Sequence, residues 1–486
     1  MDKVKFPRLE RIKLENLEVL KSFCNGTHNI KLPSLSTMHI MNLPNITGFF
    51  SNNDNLTTEL NQSANMHFLV RKKDALASLK KLELGRMDDA MLLCYQLVFH
   101  CCFRGLEYLR IRRCKNLPPY LFIDPVNDAR IISAEEEETE YRENVTANSL
   151  FPHLKELELS ELPDLRHVVS LNMQKVPFAN VKSVDVGCCE RLLHFSSLSV
   201  ARIFAQHVET LSFTDCKEME QVFVLEENEV DGADQSQIPD IQFPKLRQLT
   251  LRGLQALTSF CKGVNNIEFP SLRELQISGL NNINGFVIPT YGEQSSGMNF
   301  LFGTKVSFGG LKVLGLGGLD SELWFHQLCS RTPFFRELES LSISNCNKIR
   351  NLFASSSIGA LVNLKKLVIE RCSQIEAVIV DDEEGEGMSM KLQFLKLEYL
   401  LLIDLPKLRQ LRLSKLQALT SFCKGVNNVE FPSLRSLKIS GLNNFNGFVI
   451  PTYGEQSSGM NFLFGTKVRK QCLFTLKTLE SVVSRN

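Results

Sequence analysis

Large apolar residues recur along nearly the whole chain in one short pattern, L-x-x-L-x-L-x-x-(L/C)-x-x-L. One copy consists of Leu154, Leu157, Leu159, Leu162 and Leu165. Within each copy, the alternation L-x-L predicts a short strand with one buried face and one exposed face. Where copies lie close together, their first residues are 26 or 27 residues apart, as at Leu246 and Leu272 or at Val181 and Val208. We count about fifteen copies, so the chain is predicted to be an array of repeats.

This spacing lies within the range of 20–29 residues that is typical of leucine-rich repeats. A single strand of this kind cannot bury its own apolar face, so the copies are expected to stack in parallel. We therefore predict an α/β repeat fold, a curved leucine-rich-repeat solenoid (horseshoe) with a parallel β-sheet on its concave face. The array is predicted to cover residues 1–468, and a degenerate C-terminal tail covers 469–486.

Part of the array is duplicated within the chain. Residues 254–306 recur at 416–468 with few differences, and both blocks contain NGFVIPTYGEQSSGMNFLFGTKV. The array is therefore predicted to have grown by exchange of whole units. At the junction, Leu397 and Leu408 both begin a copy although they are only 11 residues apart, too few for a full turn of a solenoid.

The composition gives no sign of nucleic-acid binding or of a membrane span, and it bears on where in the cell the chain is located. Lys plus Arg number 55 and Asp plus Glu number 54, so the near-neutral chain has no electrostatic reason to bind nucleic acid. No apolar run reaches the roughly 18 residues that would predict a membrane span. The N-terminus does not resemble a signal peptide, so we predict a cytoplasmic location with all 14 cysteines reduced.

Motifs for catalysis or cofactor binding are missing from the sequence. It contains no G-x-x-x-x-G-K-[ST] phosphate loop and no H-E-x-x-H zinc motif, and its histidines show no helical ligand spacing. The recurring cysteine at positions such as Cys216 and Cys346 replaces leucine in other copies, which favours a core role. We therefore predict a binding protein that is not an enzyme, without catalytic residues, cofactor or metal.

The exposed strand positions are the candidate partner-binding residues. On the predicted concave face these are Arg110, Arg112, Glu158, Asp185, Ser212, Thr250, Gln276, Ser342, Arg412 and Lys438. The equivalent central position of other copies holds Lys13, His39, Glu83 and Val368. A polar stripe of this kind can also face water without a partner. Acidic stretches such as 381–386 lie in predicted loops, where charge runs are usually solvated.

Two segments resemble a known family in their order of features. They are FTDCKEMEQVFVLEENEVDGADQSQIPDIQFPKLRQLTLRGLQAL at 213–257 and IERCSQIEAVIVDDEEGEGMSMKLQFLKLEYLLLIDLPKL at 369–408. In each, a strand ends near cysteine and is followed by a hydrophobic turn, an acidic loop and a returning strand. This order resembles the repeat domain of plant coiled-coil nucleotide-binding leucine-rich-repeat disease resistance proteins.

The resemblance implies a recognition scaffold in plant defence that senses pathogen effectors or effector-modified host proteins. The implied partner is a pathogen effector or a guarded host protein, and a nucleotide-binding module supplied by another chain is a further candidate. Two alternatives stay open: a leucine-rich-repeat substrate adaptor of a ubiquitin ligase, and a regulatory repeat-only fragment of an immune receptor. An extracellular receptor ectodomain is disfavoured, because the L-x-G-x-I-P signature of such repeats is absent.

Overall fold

The chain forms two compact units, Met1–Leu246 with Leu254–Val264, and Arg247–Gly253 with Asn265–Asn486. The computed structural model describes residues 3–25, 29–46, 48–51, 76–87, 105–122, 151–170, 176–225, 240–288, 301–302, 306–319, 335–354, 361–375, 377–380, 399–405, 436–440 and 478–482. Each unit is built on a parallel sheet to which each repeat contributes one five-residue strand.

In the first unit, the strands of the main sheet follow one another in chain order. They are Arg11–Glu15, Thr37–Met41, Lys81–Gly85, Tyr108–Arg112, Glu156–Ser160, Ser183–Gly187 and Thr210–Thr214. Equivalent positions of the repeat pair across the sheet, so that Leu109, Leu157 and Val184 stand side by side. The spacing of the L-x-L motif therefore sets the register of the sheet.

The second unit repeats this arrangement. Its main-sheet strands are Gln248–Arg252, Glu274–Ser278, Val313–Gly317, Ser340–Ser344, Lys366–Glu370, Tyr399–Ile403, Ser436–Ser440 and Thr478–Val482. All of the neighbouring strands in this series pair in parallel. The predicted leucine-rich-repeat solenoid with a parallel β-sheet is thus confirmed.

Near the duplicated block, Tyr399–Ile403 pairs directly with Ser436–Ser440. The copy that begins at Leu408 lies outside the described residues, and its distance of 11 residues from Leu397 is too short for a full turn of the solenoid. Near the C-terminus, Thr478–Val482 within the predicted tail pairs with Ser436–Ser440, because Leu479 takes the register position of Leu437.

Shorter strands, in sheets separate from the main sheet, and one helix complete the repeats. In the first unit the strands are Lys3–Lys5, Ser22–Asn25, Asn29–Lys31, Gly48–Ser51, Tyr120–Phe122, His167–Val169, Ser196–Ser197, Gln221–Val224, Ile241–Gln242 and Ser259–Lys262. In the second unit they are Ile267–Phe269, Val287–Ile288, Val306–Phe308, Asn351–Ala354 and Ala377–Val380. The single helix among the described residues is Leu198–Phe204, whose first turn is capped by Ser197 Oγ accepting from the Val200 amide.

The core of the first unit contains a column of phenylalanines behind the leucines of the main sheet. Its members are Phe122, Phe178, Phe195, Phe204, Phe223, Phe243 and Phe260. Neighbouring ring centroids lie 5.2–6.3 Å apart, with edge-to-face and tilted pairs in the majority. Such spacings are favourable for aromatic pairs, and phenylalanine brings no polar atom that needs a partner. This column accounts for part of the chain's excess of Phe (33) over Trp (1) and Tyr (7).

A left-handed residue directly follows the main-sheet strands. In chain order these residues are Asn16, Asn42, Arg86, Arg113, Glu161, Cys188, Asp215, Gly253, Gly279, Gly318, Asn345, Arg371 and Asp404, with φ between 51° and 66°. The turn directs the next residue, such as Cys114 or Leu162, into the core, where both are fully buried. Glycine and asparagine adopt this conformation readily, whereas arginine, glutamate and cysteine do so at a cost of roughly 1–2 kcal/mol each.

Candidate protein-recognition surface

The outward face of the main sheet consists of the first, third and fifth residues of each strand. Side chains alternate across a strand, so the second and fourth residues point into the core. In Gln248–Arg252, Leu249 and Leu251 are fully buried, whereas Thr250 between them is half-buried. The structure thus places Arg110, Arg112, Glu158, Asp185 and Ser212 on the outward face of the first unit, and Thr250, Gln276 and Ser342 on that of the second.

A charged network crosses five strands of the outward face in the first unit, through Glu15, His39, Glu83, Arg110 and Glu158. The His39 ring nitrogens lie 2.8 Å from Glu15 Oε1 and 2.7 Å from Glu83 Oε2. Arg110 Nη1 lies 3.7 Å from Glu83 Oε1, and its Nη2 lies 2.6 Å from Glu158 Oε2. Each basic group in the network therefore sits between two carboxylates from neighbouring repeats.

Electrostatics favour the charged forms of Glu83 and Arg110. Burial raises the pKa of Glu83, but hydrogen bonds from Lys81 and His39 outweigh this effect, so its pKa lies below the ordinary value. The hydrogen bond to Glu158 raises the pKa of Arg110. Glu83 and Arg110 thus present fixed charges of opposite sign around neutral pH.

Tyr108 adds an aromatic side chain next to Arg110. Its hydroxyl donates to Glu158 Oε2 at 2.9 Å, and burial together with this carboxylate raises its pKa. The Lys81 ammonium lies 4.5 Å from the ring centroid and the Arg110 guanidinium carbon lies 5.7 Å away, within the range of cation–π attraction. Tyrosine and arginine are the residue types that most often dominate protein interfaces.

The central strand positions of the outward face are less charged beyond this network. Asp185 is exposed and Ser212 is half-buried, and neither belongs to an ion pair within the described residues. In the second unit, the amide of Gln276 donates to Glu274 Oε1 at 3.3 Å and lies over Gly315. The prediction that Val368 is exposed is wrong: this apolar side chain is buried, at 7% exposure.

The side chains of two candidate residues, Lys438 and Arg412, are not described by the structure. Lys438 occupies the central position of its strand and pairs in register with Leu401. Arg412 lies outside the described residues.

Sequence reasoning missed a second row of charges, here called the edge ladder, formed by the residues just before each strand. Glu107 pairs with Lys80 at 3.3 Å and with Lys155 at 2.5 Å in the first unit. In the second unit, hydrogen bonds from Lys312 at 2.7 Å and Lys365 at 2.6 Å lower the pKa of Glu339 to about 2. The alternation of Lys and Glu just before successive L-x-L motifs was the available signal.

Two histidines pack together outside the main sheet, among the shorter strands of the first unit. His167 Nδ1 and His194 Nε2 lie 2.9 Å apart, and the ring of Tyr120 stacks on His167 with centroids 4.7 Å apart. Burial, followed by the proximity of His167, lowers the pKa of His194 to about 4. Burial and then Arg166 also lower the pKa of His167.

We expect this pair to make stability depend on pH. The unfolded chain binds a proton at His194 below its ordinary pKa of 6.5, whereas the folded chain does so only near its pKa of about 4. The contribution of His194 to the free energy of unfolding is therefore fully present above the unfolded pKa of 6.5. It is lost as the pH falls towards 4, by roughly 2–3 kcal/mol. Denaturant unfolding across this range should show a smaller loss for His194→Gln than for the wild type. His153→Gln, at an exposed imidazole, is the control, and a parallel loss in all three proteins would contradict the assignment.

The described residues hold no group of three or more His, Cys, Asp or Glu that could bind a metal ion. The repeated cysteines Cys114, Cys189, Cys216, Cys346 and Cys372 are buried free thiols, as their leucine-like position in the repeat indicated. A hydrogen bond to Cys189, followed by burial, raises the pKa of Cys216. A thiol in this state is packing material and not a nucleophile.

No described helix has the length and apolar character to cross a bilayer. No curated protein shows a significant match to the chain. Among solved structures, the crystal structure of the TLR13-ssRNA13 complex is similar at 14% identity and a TM-score of 0.27, covering 90% of this chain. The match spans 66% of that chain, just under two thirds, and a TM-score this low does not establish a shared arrangement.

The repeats themselves identify the family. Residues 53–206, 178–290 and 317–447, well over half of the chain, match the family described as plant disease resistance protein RPS2-like, leucine-rich repeats. The matched segments include the strands that carry Arg110, Glu158, Thr250 and Ser342. The chain therefore belongs to the RPS2-like leucine-rich-repeat family of plant disease resistance proteins.

Proposed function

We propose that the chain is a protein-recognition scaffold in plant defence that senses a pathogen effector, or a host protein modified by one, through its outward face. The proposal is one of binding and not of catalysis, and it includes a cytoplasmic location. Membership of the disease resistance family supports a role in defence. The charged network supports the choice of surface.

The ion pairs of the charged network contribute little to the stability of the fold. Exposed and half-buried ion pairs contribute about 0–1 kcal/mol each, far less than the leucines and phenylalanines beneath them. Arg110 and three carboxylates, two of them joined through the His39 ring, lie on successive strands and are thus poorly explained by stability alone. Their charges of opposite sign are better suited to selecting a partner with a complementary charge pattern.

The network is also organised in advance of binding. Arg110 is held between two carboxylates and beside the Tyr108 ring, so its rotamer is already restricted. A side chain that is ordered before binding loses less conformational entropy when a partner docks. The observation that carries the proposal is this pre-ordered cluster of Tyr108, Arg110 and Glu158 on a rigid sheet.

The test uses a partner captured from plant tissue by the purified chain, identified by mass spectrometry and then produced in pure form. Replacing Arg110 and Glu158 together by Ala is expected to weaken its binding by about tenfold or more, because a pre-ordered anchor is lost. Removing both partners avoids leaving one charge unpaired. Isothermal titration calorimetry gives the Kd for each protein.

The matched control is the double variant Glu190→Ala and Lys217→Ala. This pair is also an exposed ion pair, with 2.5 Å between Lys217 Nζ and Glu190 Oε1, and lies outside the outward face. We expect its Kd to stay within about twofold of the wild type. Equal affinities for the Arg110–Glu158 variant and the wild type, with both folded, would place recognition on another surface.

A further inference from the structure

A groove runs along the edge of the sheet in the first unit, where the chain enters the strands that begin at Glu156, Ser183 and Thr210. It encloses about 250 Å³. Five of its eight lining side chains are basic and one is a carboxylate: His153, Lys155, Lys182, His207 and Lys245, with Glu209. The groove lies beside the outward face and contains none of the residues of the charged network.

Two rows of side chains build the groove. Lys155, Lys182 and Glu209 belong to the edge ladder, each one residue before a strand. His153 and His207 lie two residues earlier in their repeats, so they form a second row parallel to the first. Because parallel strands are about 4.8 Å apart, the groove extends roughly 10 Å from Lys155 to Glu209.

The positive charges in the groove are incompletely balanced. Lys182 Nζ pairs with Glu209 at 3.1 Å, and Lys155 pairs with Glu107 outside the groove. Lys245 has no carboxylate partner in the described part of the chain, and its ammonium instead contacts His207 Nδ1 at 3.4 Å. An ammonium group held against an imidazole in a concave site leaves a local excess of positive charge, which attracts anions.

We propose that this groove binds an acidic segment of a protein partner, whose carboxylates reach Lys245, Lys182 and Lys155 in turn. The proposal deepens the proposed function and rests on it, because it names the part of the partner that this edge takes. In an extended peptide, side chains on one side are about 6.6 Å apart, so four to six residues cover the three lysine positions. The lining contains no arginine, the residue that binds phosphate through paired hydrogen bonds. The absence of arginine from this lining therefore favours carboxylates over phosphate as ligands.

The experiment measures binding of a fluorescent peptide of alternating glutamate and serine to the full chain by anisotropy at low salt. A peptide with glutamine in place of glutamate is the ligand control. Lys245→Gln is expected to weaken binding of the acidic peptide by about fivefold, because it removes a charge without breaking an ion pair. Added salt should weaken binding further, because it screens exposed charges.

The matched protein control is Lys365→Gln, an exposed lysine of the edge ladder in the second unit, where Glu339 keeps Lys312 as a partner. It should leave the peptide's Kd within about twofold of the wild type.

No binding of the acidic peptide, equal weakening by both variants, or displacement of the peptide by equimolar inorganic phosphate would each overturn the proposal. If the peptide fails while the plant partner still depends on Arg110 and Glu158, only the groove proposal falls. If no partner depends on those residues but Lys245→Gln weakens the peptide, only the choice of outward face falls.

Discussion

Leu249→Asp is expected to unfold the repeats around the strand Gln248–Arg252, whereas Thr250→Asp, one residue along, should leave them folded. Leu249 is fully buried and pairs in register with Leu275, so the new carboxylate would lie in the stacked leucine core without a partner. Truncation of such a leucine to alanine already costs about 2–5 kcal/mol, and burial of an unpaired charge adds to this. Thr250 is half-buried on the outward face, where Asp should cost about 1 kcal/mol or less.

Thermal and denaturant unfolding of the two variants, followed by circular dichroism, separates these outcomes. The substitutions introduce the same side chain at adjacent positions, so differences in net charge and in strand propensity are largely removed from the comparison. Similar losses of stability for the two variants would mean that the strand does not have the assigned alternation of faces.

Phe223→Ala should produce the other large loss, because Phe223 is central to the column of phenylalanines. Its ring centroid lies 5.2 Å from that of Phe260 and 5.9 Å from those of Phe204 and Phe243. Removing a fully buried phenylalanine costs about 3–5 kcal/mol, and the neighbouring rings lose favourable edge contacts as well. The free energy of unfolding of the first unit should fall by that amount.

Phe6→Ala provides the control, because Phe6 is 40% exposed. We expect this variant to lose less than about 1 kcal/mol. A loss at Phe6 equal to that at Phe223 would show that the phenylalanine column contributes no more to stability than a surface ring does.

The sequence predicted the repeat, the parallel sheet and the alternation of its faces because all three depend on the spacing of apolar residues. Leu249 and Thr250 differ in burial as the L-x-L motif indicates. At Leu408 the same pattern recurs only 11 residues after Leu397, which is too few for a turn of the solenoid, so the pattern alone does not predict how this junction folds. A pattern of residue types is therefore informative only together with the distance to the next copy.

The contacts of the outward face were less accessible to sequence reasoning. Arg110 and Glu158 were selected as candidates, but they pair only because the fold brings together strands in which these positions are 48 residues apart. The groove was missed because Lys245 and His207 are 38 residues apart in the sequence and come together only in the folded chain. The left-handed positions at Arg113 and Glu161 were also missed, since the usual signal there is glycine or asparagine.

Those left-handed turns have a consequence for how stability is distributed along the chain. Arg86, Arg113, Glu161 and Cys188 follow four successive strands of the first unit, whereas Gly253, Gly279 and Gly318 follow three successive strands of the second. In a repeat array, local opening is governed by the stability of each repeat and of its neighbours. The turns with the greatest backbone strain thus include those of the repeats that carry Arg110 and Glu158, and there the ion pair between Arg113 Nε and Glu161 Oε1 at 2.8 Å joins the two strained turns. A partner that binds these folded repeats would stabilise them further against local unfolding.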